Sequence, residues 1–511
     1  MADEVALPTA LCSFLDKRPE DFTRADLLRV VVGCGVERFT FHYTGMDSQL
    51  KELQLPFADH RQAERILAMG ERVDGSSLFR GLVDVSDSDL YVVPDYRTAF
   101  LNPFDPTSLD FMCRFLDRHG DLAPFSPDNM VRMAHERVKT IGYELHALGE
   151  VEFFLLYDSD NDLYTPAKHS GYHASAPFFR GGPVVTQMIR CLEQITGSVK
   201  YAHAEAGFID SIRSDSPVLK GLRAEQHEIE LLARPIEEMG DVVALTKWVV
   251  RNVAHRHGLL ATFAPKLEEG VAGNGLHFHL ELLQADRNVM VKGNAELSDP
   301  ALRLIGGLVH YAATLTAFGN TVASAYLRLV PNQEAPTRIC WSESNRSALI
   351  RVPLGWSEKC DLARAVNPQD TSEYADDRGR QTVELRSPDG SAHFHLLLAG
   401  IAAAGEWGLS SPSSLELART THVEGNVFAC QEILSGLEAL PASCVAAGRL
   451  LRERRDLFDS RGVFPPKVVD YIVDVLMAEN DEYLNEKLSH MAADERLHAT
   501  RQIMHRDIHK H

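Results

Sequence analysis

Hydrophobic and polar positions change period several times along the chain, and the changes divide it. Residues 25–37 (ADLLRVVVGCGVE) space their apolar side chains as a helix does, and the glycines at 33 and 35 end the pattern. Residues 38–57 then alternate, which predicts two strands around a turn at Gly45. A turn at Asp74-Gly75 and the strand-like run LYVVPDYRTAF complete a small α+β unit. The two prolines of NPFDPTSLDF (102–111) mark a connector. SPDNM (126–130) predicts a helix start, with Ser126 as N-cap and Pro127 at the first position, running to about Gly142. From there one large mixed domain is expected. Its strands fall near 147–157, 226–232, 275–283 and 381–386, and its helices near 187–196, 240–257, 299–318 and 394–405. Residues 412–511 read as mostly helical and polar, ending in MHRDIHKH, which is expected to be a frayed, solvated tail rather than a metal tract.

Three of the strand patterns share one device. Glu150-Val151-Glu152-Phe153 places two carboxylates on one face and two apolar side chains on the other. His277-Phe278-His279-Leu280 does this with two imidazoles, and Val383-Glu384-Leu385-Arg386 with a carboxylate and a guanidinium. One such segment is a solvated outer face as readily as a site. Three in apolar surroundings imply cations, because burying that many acids alone is costly. Carboxylates with few histidines suit Mg²⁺ or Mn²⁺ better than zinc. Arg328, Arg338, Arg346 and Arg351 follow within one stretch, and then Arg386. Guanidinium forks match carboxylate and phosphate oxygens. Acids for metals and arginines for anions are the parts phosphoryl transfer requires, yet neither a P-loop nor a kinase catalytic-loop motif is present.

Bulk properties narrow the class. The 511 residues allow two domains, and a net charge of -20 argues against non-specific nucleic-acid binding. No apolar run approaches a membrane span, and the N-terminus lacks the pattern of a signal peptide. Eight cysteines without CxxC spacing read as reduced thiols, which predicts a cytoplasmic protein.

In order along residues 25–405, VDGSS (73–77), VVPDYRTA (92–99), GEVEFFLL (149–156), QHEIEL (226–231), NVAHRHGLLATFAPK (252–266), GNGLHFHLEL (273–282), RLVPNQEAP (328–336), NRSALIRVP (345–353) and VELRSPD (383–389) together resemble glutamine synthetase. The chain looks like a divergent, type I-like member of that family with an insertion near 206–224. The resemblance implies an α+β fold: an extension (1–24), a β-grasp domain (25–115), and a catalytic domain (120–511) whose curved antiparallel sheet forms a barrel-like funnel, with a helical C-terminal part. It also implies active sites shared between subunits, in a homo-oligomer that is usually a dodecamer. Carried over by position, Glu152, Glu228 and Glu205 hold the substrate-side metal, and Glu150, His277 and Glu384 the metal at the ATP phosphates. His279 and Arg351 serve ATP. Arg328 grips the substrate α-carboxylate, with Gly273 and Asn274 beside it. Arg346 and Arg386 surround the transferred phosphoryl group. Asp74 and Ser77 bind ammonium, with Tyr172 nearby and Asp74 as proton acceptor. Glu334 is the flap residue over the intermediate. The implied reaction joins ammonium to glutamate at the expense of ATP, with Mg²⁺ or Mn²⁺.

The chain departs from the family pattern in places. Lys220 stands where the family has a ligand eight residues before Glu228, which leaves Glu205 as the third ligand. Ala272 replaces the asparagine that touches the amino acid's polar head, and Asn274 is the candidate substitute. Thr382 replaces a basic residue, with Arg380 the candidate for ADP contact, and HFH (393–395) replaces Asn-Pro-Tyr as a packing change. No Asn-Leu-Tyr segment of the nucleotidylated kind is present. Three readings stand: ligation to ammonia, which the retained Asp74-Gly75-Ser76-Ser77 favours; ligation to a larger amine such as a polyamine or alkylamine; and a non-catalytic structural or sensing descendant.

Overall fold

The computed structural model describes residues 9–158, 171–293, 296–330, 335–355, 361–374, 378–427, 435–460 and 462–510. The helix Arg24–Gly33 opens with a capping box, in which the Thr23 hydroxyl and the Asp26 carboxylate each accept from the other's backbone N–H. Alternation then builds β1 (Arg38–Thr44) and β2 (Leu50–Pro56), a hairpin pairing Arg38 with Pro56. With β3 (Glu71–Asp74), β4 (Asp89–Pro94), β5 (Phe100–Leu101) and β6 (Ser108–Leu116) they form one sheet in the order β2-β1-β6-β4-β3, β5 lying on β6. β1 and β6 run parallel at its centre. The connector with two prolines thus contributes the start of β6.

The second sheet contains β7 (Glu144–Tyr157), β8 (Val199–Ile209), β9 (Arg223–Leu231), β10 (Arg234–Pro235), β11 (Leu260–Thr262), β12 (Leu276–Gln284), β13 (Arg287–Asn288), β14 (Trp341–Glu343), β15 (Ile350–Val352) and β16 (Val383–Leu385). Its order is β14-β15-β16-β12-β7-β9-β8, antiparallel except between β14 and β15. The apolar side chains of β7 and β12 back onto the helices Ile236–Arg256, Asp299–Gly319 and Phe394–Ser410. The helix Asp299–Gly319 has the length and mean hydropathy, 1.3, of a membrane span, contrary to expectation, but 83% of that window is buried. It is a core helix against Phe394–Ser410.

Polar contacts fasten the two sheets' units together. Arg114 on β6 reaches Asp241 at 2.6 Å. His395 bonds Thr44 at 3.3 Å and Asp241 at 3.3 Å, and His393 bonds Ser48 at 3.0 Å. The histidines of HFH therefore tie the first unit to the second.

Three expectations require correction. Ser126 and Pro127 take the expected N-cap and first positions of the helix Pro127–Thr140, but the Ser126 hydroxyl donates to Asp128 instead of accepting from the backbone. β8 is a strand the apolar pattern did not announce, and only its end, from residue 206, falls in the segment read as insertion; polar Lys, Tyr, His and Glu interrupt its apolar pattern because one face lines a cavity. The C-terminal segment is not frayed. The helix Ala493–Arg506 is docked, with Met504, Asp507 and Ile508 buried.

Candidate active site

Five strands, β7, β9, β12, β15 and β16, bring separated sequence segments together. The pleat of β7 sends Val151 and Phe153 into the core and leaves Glu150 and Glu152 on the opposite side. Register then sets the neighbours: His277 lies opposite Glu150, Glu228 opposite Glu152, and Glu384 opposite both His279 and Arg351. The resulting cavity measures about 920 Å³, with Arg328, Arg346, Arg351 and Arg386 on its wall beside the acids.

At one end, Glu150 lies 2.9 Å from His277 Nδ1 and 2.8 Å from His279 Nε2. Glu384 is fully buried behind them, bonded by Arg386 and, at 2.7 Å, by Arg351. Burial alone would raise both carboxyl pKa values. For Glu150 the two histidines reverse this and hold it well below the usual range, and for Glu384 Arg386 and His279 outweigh burial and lower it. Thr382 bonds His279 Nδ1 at 3.0 Å, which leaves Nε2 facing Glu150. Arg380 instead donates to Tyr374 and is not on the cavity wall.

At the other end the balance is acidic. Glu152 accepts from the Gly275 N–H at 2.8 Å and the Gln226 amide at 3.0 Å. Burial, then the charges of Glu228 and Glu205, push the Glu152 pKa well up. Burial also raises that of Glu228, with Glu150 and Glu205 adding and His203 opposing. His203 Nε2 lies 3.3 Å from Glu228, and its Nδ1 3.6 Å from Glu205. Lys200 pairs with Glu230 at 2.6 Å, yet Glu230 Oε2 is buried without a hydrogen-bond partner among the described residues. His203 and Glu230 are missing from the sequence-derived set. The signal was available: AHAE and EIE repeat the two-residue spacing of EVE, but only Glu205 and Glu228 of these segments were singled out.

These donors fit divalent ions. Ligand atoms of Glu150, His279 and Glu384 lie within 4.8 Å of one another, as do those of His203, Glu205 and Glu228, and of Glu150, Glu228 and Glu230. Carboxylate oxygens with at most one imidazole in each group suit Mg²⁺ or Mn²⁺. In the first group it is His279 that joins Glu150 and Glu384; His277 Nδ1 also stands 3.7 Å from Glu384.

The remaining residues divide. Arg328 is buried on the wall, donating to Ser387 O at 3.0 Å and lying 3.2 Å from His277 Nε2. Gly273 lines the cavity beside it, and a Cβ there would sit 2.3 Å from Pro265 O. Asn274 does not take the place left by Ala272. It is fully buried, its amide bonded to Ala264 O at 2.9 Å and to Gln226 at 3.1 Å, while Ala272 faces the cavity. Tyr172 lines the opening, its ring centroid 4.3 Å from that of His173 and 5.4 Å from that of His203. Asp74 and Ser77 are exposed on the first unit and absent from the cavity wall. Ser77 donates to Asp74 at 2.6 Å, and with Ser76 holds the carboxyl at about 2, too low for a good proton acceptor as placed. Glu334 lies outside the described residues.

The glutamine synthetase catalytic-domain profile matches residues 125–493, and the glutamine synthetase beta-grasp domain profile residues 35–118. Glutamine synthetase of Thermus thermophilus is 33% identical over 399 residues, covering 76% of this chain and 80% of that protein. The Halobacterium salinarum glutamine synthetase is 31% identical over 386 residues, covering 74% and 76%. The solved structure "Apo GmaS without ligand" superposes with a TM-score of 0.69 at 23% identity, covering 92% of this chain and 98% of that one. With its α+β architecture and its acid- and arginine-lined funnel, the chain belongs to the glutamine synthetase family.

Proposed function

We propose that this ligase joins ammonia to the γ-carboxylate of glutamate, using ATP and forming γ-glutamyl phosphate, with ADP and phosphate as products. The carrying observation is the polarity of the cavity, with two acid clusters on β7, β8, β9 and β12 set against Arg328, Arg346, Arg351 and Arg386. Bound Mg²⁺ or Mn²⁺ would neutralise phosphate charge and fix the reacting oxygens. Glu150, Glu384 and the paired histidines would hold one ion at the phosphates, and Glu152, Glu205, Glu228 and His203 another beside the substrate. Arg328 holds the α-carboxylate. Arg346 and Arg386 meet the charge that builds on the transferred phosphoryl group. The γ-carboxylate oxygen attacks phosphorus and ADP leaves; the ammonia nitrogen then attacks the acyl carbon, the bond to phosphate breaks, and the proton the nitrogen gives up ends on the released phosphate.

Completing the ammonium site with Asp74 and Ser77 requires a second copy of the chain, since neither lines the cavity of its own. A second acceptor reading has its own support. Tyr172, His173, Tyr201 and His203 form a patch of rings beside Glu205 and Glu228, with the His173 and His203 centroids 4.3 Å apart. Rings beside acids suit an organic ammonium ion. Phosphate release from ATP with Mg²⁺ distinguishes the two. Release requiring glutamate and ammonium supports the first, release with alkylamines or polyamines alone the second, and no release under any condition refutes both.

A further inference from the structure

The C-terminal helix is fastened to the back of the loop that forms one wall of the cavity. Arg501 grips Glu268 with a two-pronged contact, Nη2 at 2.7 Å from one oxygen and Nε at 2.9 Å from the other. Arg496 reaches Glu269 at 3.2 Å, and His505 Nε2 bonds Leu267 O at 3.0 Å. Three consecutive residues of one loop are therefore held by three turns of one helix. Immediately beyond them, Gly270, Val271, Ala272 and Gly273 line the cavity. Apolar contacts reinforce the attachment: Ile508 packs with Leu267 and Val271, and Met504 with Leu327, the neighbour of Arg328. The insertion joins the same assembly through Ile212 and Leu219, through Ser214 on His505 at 3.0 Å, and through Asp215 on Gln502 at 3.1 Å.

We propose that Arg501, with His505 and the inserted segment, is a positioning element for the amino-acid substrate, setting the loop 266–273 against Arg328 without touching the substrate itself. This rests on the reading that the amino acid lies between that loop and Arg328. Where Gly270, Val271, Ala272 and Gly273 line the cavity they offer no polar side chain, so this part of the loop recognises a substrate through backbone placement. Backbone placement is sensitive: an ångström of displacement costs up to ~100-fold.

The test uses the full chain as wild type, Arg501→Ala, Arg501→Lys, and the charge exchange Arg501→Glu with Glu268→Arg. Phosphate release gives the KM for glutamate and for ATP, and hydrogen exchange follows residues 264–275. Arg501→Ala is expected to raise the glutamate KM about tenfold or more, leave the ATP KM within about twofold, and speed exchange in the loop. The charge exchange recovers much of the glutamate KM. An unchanged glutamate KM, or an equal loss toward both substrates, overturns the proposal. Should Arg501→Ala not fold, Glu268→Gln is read by the same criteria. If the wild type releases no phosphate with any amine, the proposed activity fails, and loop exchange still decides: exchange that Arg501→Ala leaves unaltered overturns the clamp.

Discussion

Replacing Glu384 with glutamine isolates the charge at the centre of the arginine end of the site. The carboxylate is fully buried, bonded to Arg386 and Arg351, and 3.7 Å and 4.0 Å from His277 and His279. Glutamine keeps the volume but removes the anion and turns an N–H₂ toward one guanidinium. Removing one partner of a buried ion pair costs about 3–5 kcal/mol. Glu150 still faces Arg386, so the lower end of that range applies. At ~2.1 cal/mol/K per residue, a unit of ~370 residues has an unfolding entropy near ~0.8 kcal/mol/K, and a loss of ~3 kcal/mol lowers Tm by about 4 °C. Saturating metal at about 100 times Kd adds ~2.7 kcal/mol to the wild type, or roughly 3 °C. Glu384→Gln should forfeit most of that gain as well. Differential scanning calorimetry with Mn²⁺ or with EDTA reads both effects. A variant that melts within about 1 °C of wild type and keeps the full Mn²⁺ response would refute the placement of Glu384 at a metal and the cost assigned to its burial.

The other expectations are shorter. Glu230→Gln removes a buried charge, one of whose oxygens has no hydrogen-bond partner among the described residues; it should leave metal-free Tm level or higher while weakening Mn²⁺ binding, measured by calorimetric titration. Gly273→Ala forces a methyl toward Pro265 O; kcat/KM for glutamate should fall roughly tenfold or more, with a circular dichroism spectrum like wild type's. Asp74→Asn should raise the ammonium KM only where chains associate, so sedimentation and kinetics are read together; an altered KM in a stable monomer would contradict the shared site. Arg328→Lys gives up the fork that spans Ser387 O and His277, and should raise the glutamate KM about tenfold with little change for ATP.

What could be read from the chain depended on how locally each feature is encoded. The period-two segments around Glu150, His277 and Glu384 announce themselves, because a strand's pleat is written in adjacent residues. Their convergence is not local; it depends on register, which places Glu152 against Glu228 across two strands. β8 escaped because its cavity-facing side chains disrupt the apolar alternation, and register shifts at Val199/Tyr201 and Ala204/Phe208 break the pairing further. His203 went with it. Asn274 illustrates the opposite error: an amide near a binding loop is spent on Ala264 and Gln226 within the fold. The tail MHRDIHKH looked solvated because its anchors, Met504 and Ile508, are sparse among polar residues, and the acids that receive Arg496 and Arg501 lie more than two hundred positions away.

The ties between the two units have a mechanical consequence. Arg114 on Asp241 and the histidines at 393 and 395 on Ser48 and Thr44 span the junction as a set of short struts. Struts of that kind do not serve as a hinge. The first unit is thus a rigid bracket rather than a lid, fastened to the helices behind the second sheet and giving none of its described residues to the wall of its own chain's cavity. A molecule entering that cavity would have no first unit of its own chain to draw closed, and would lose no affinity to ordering it.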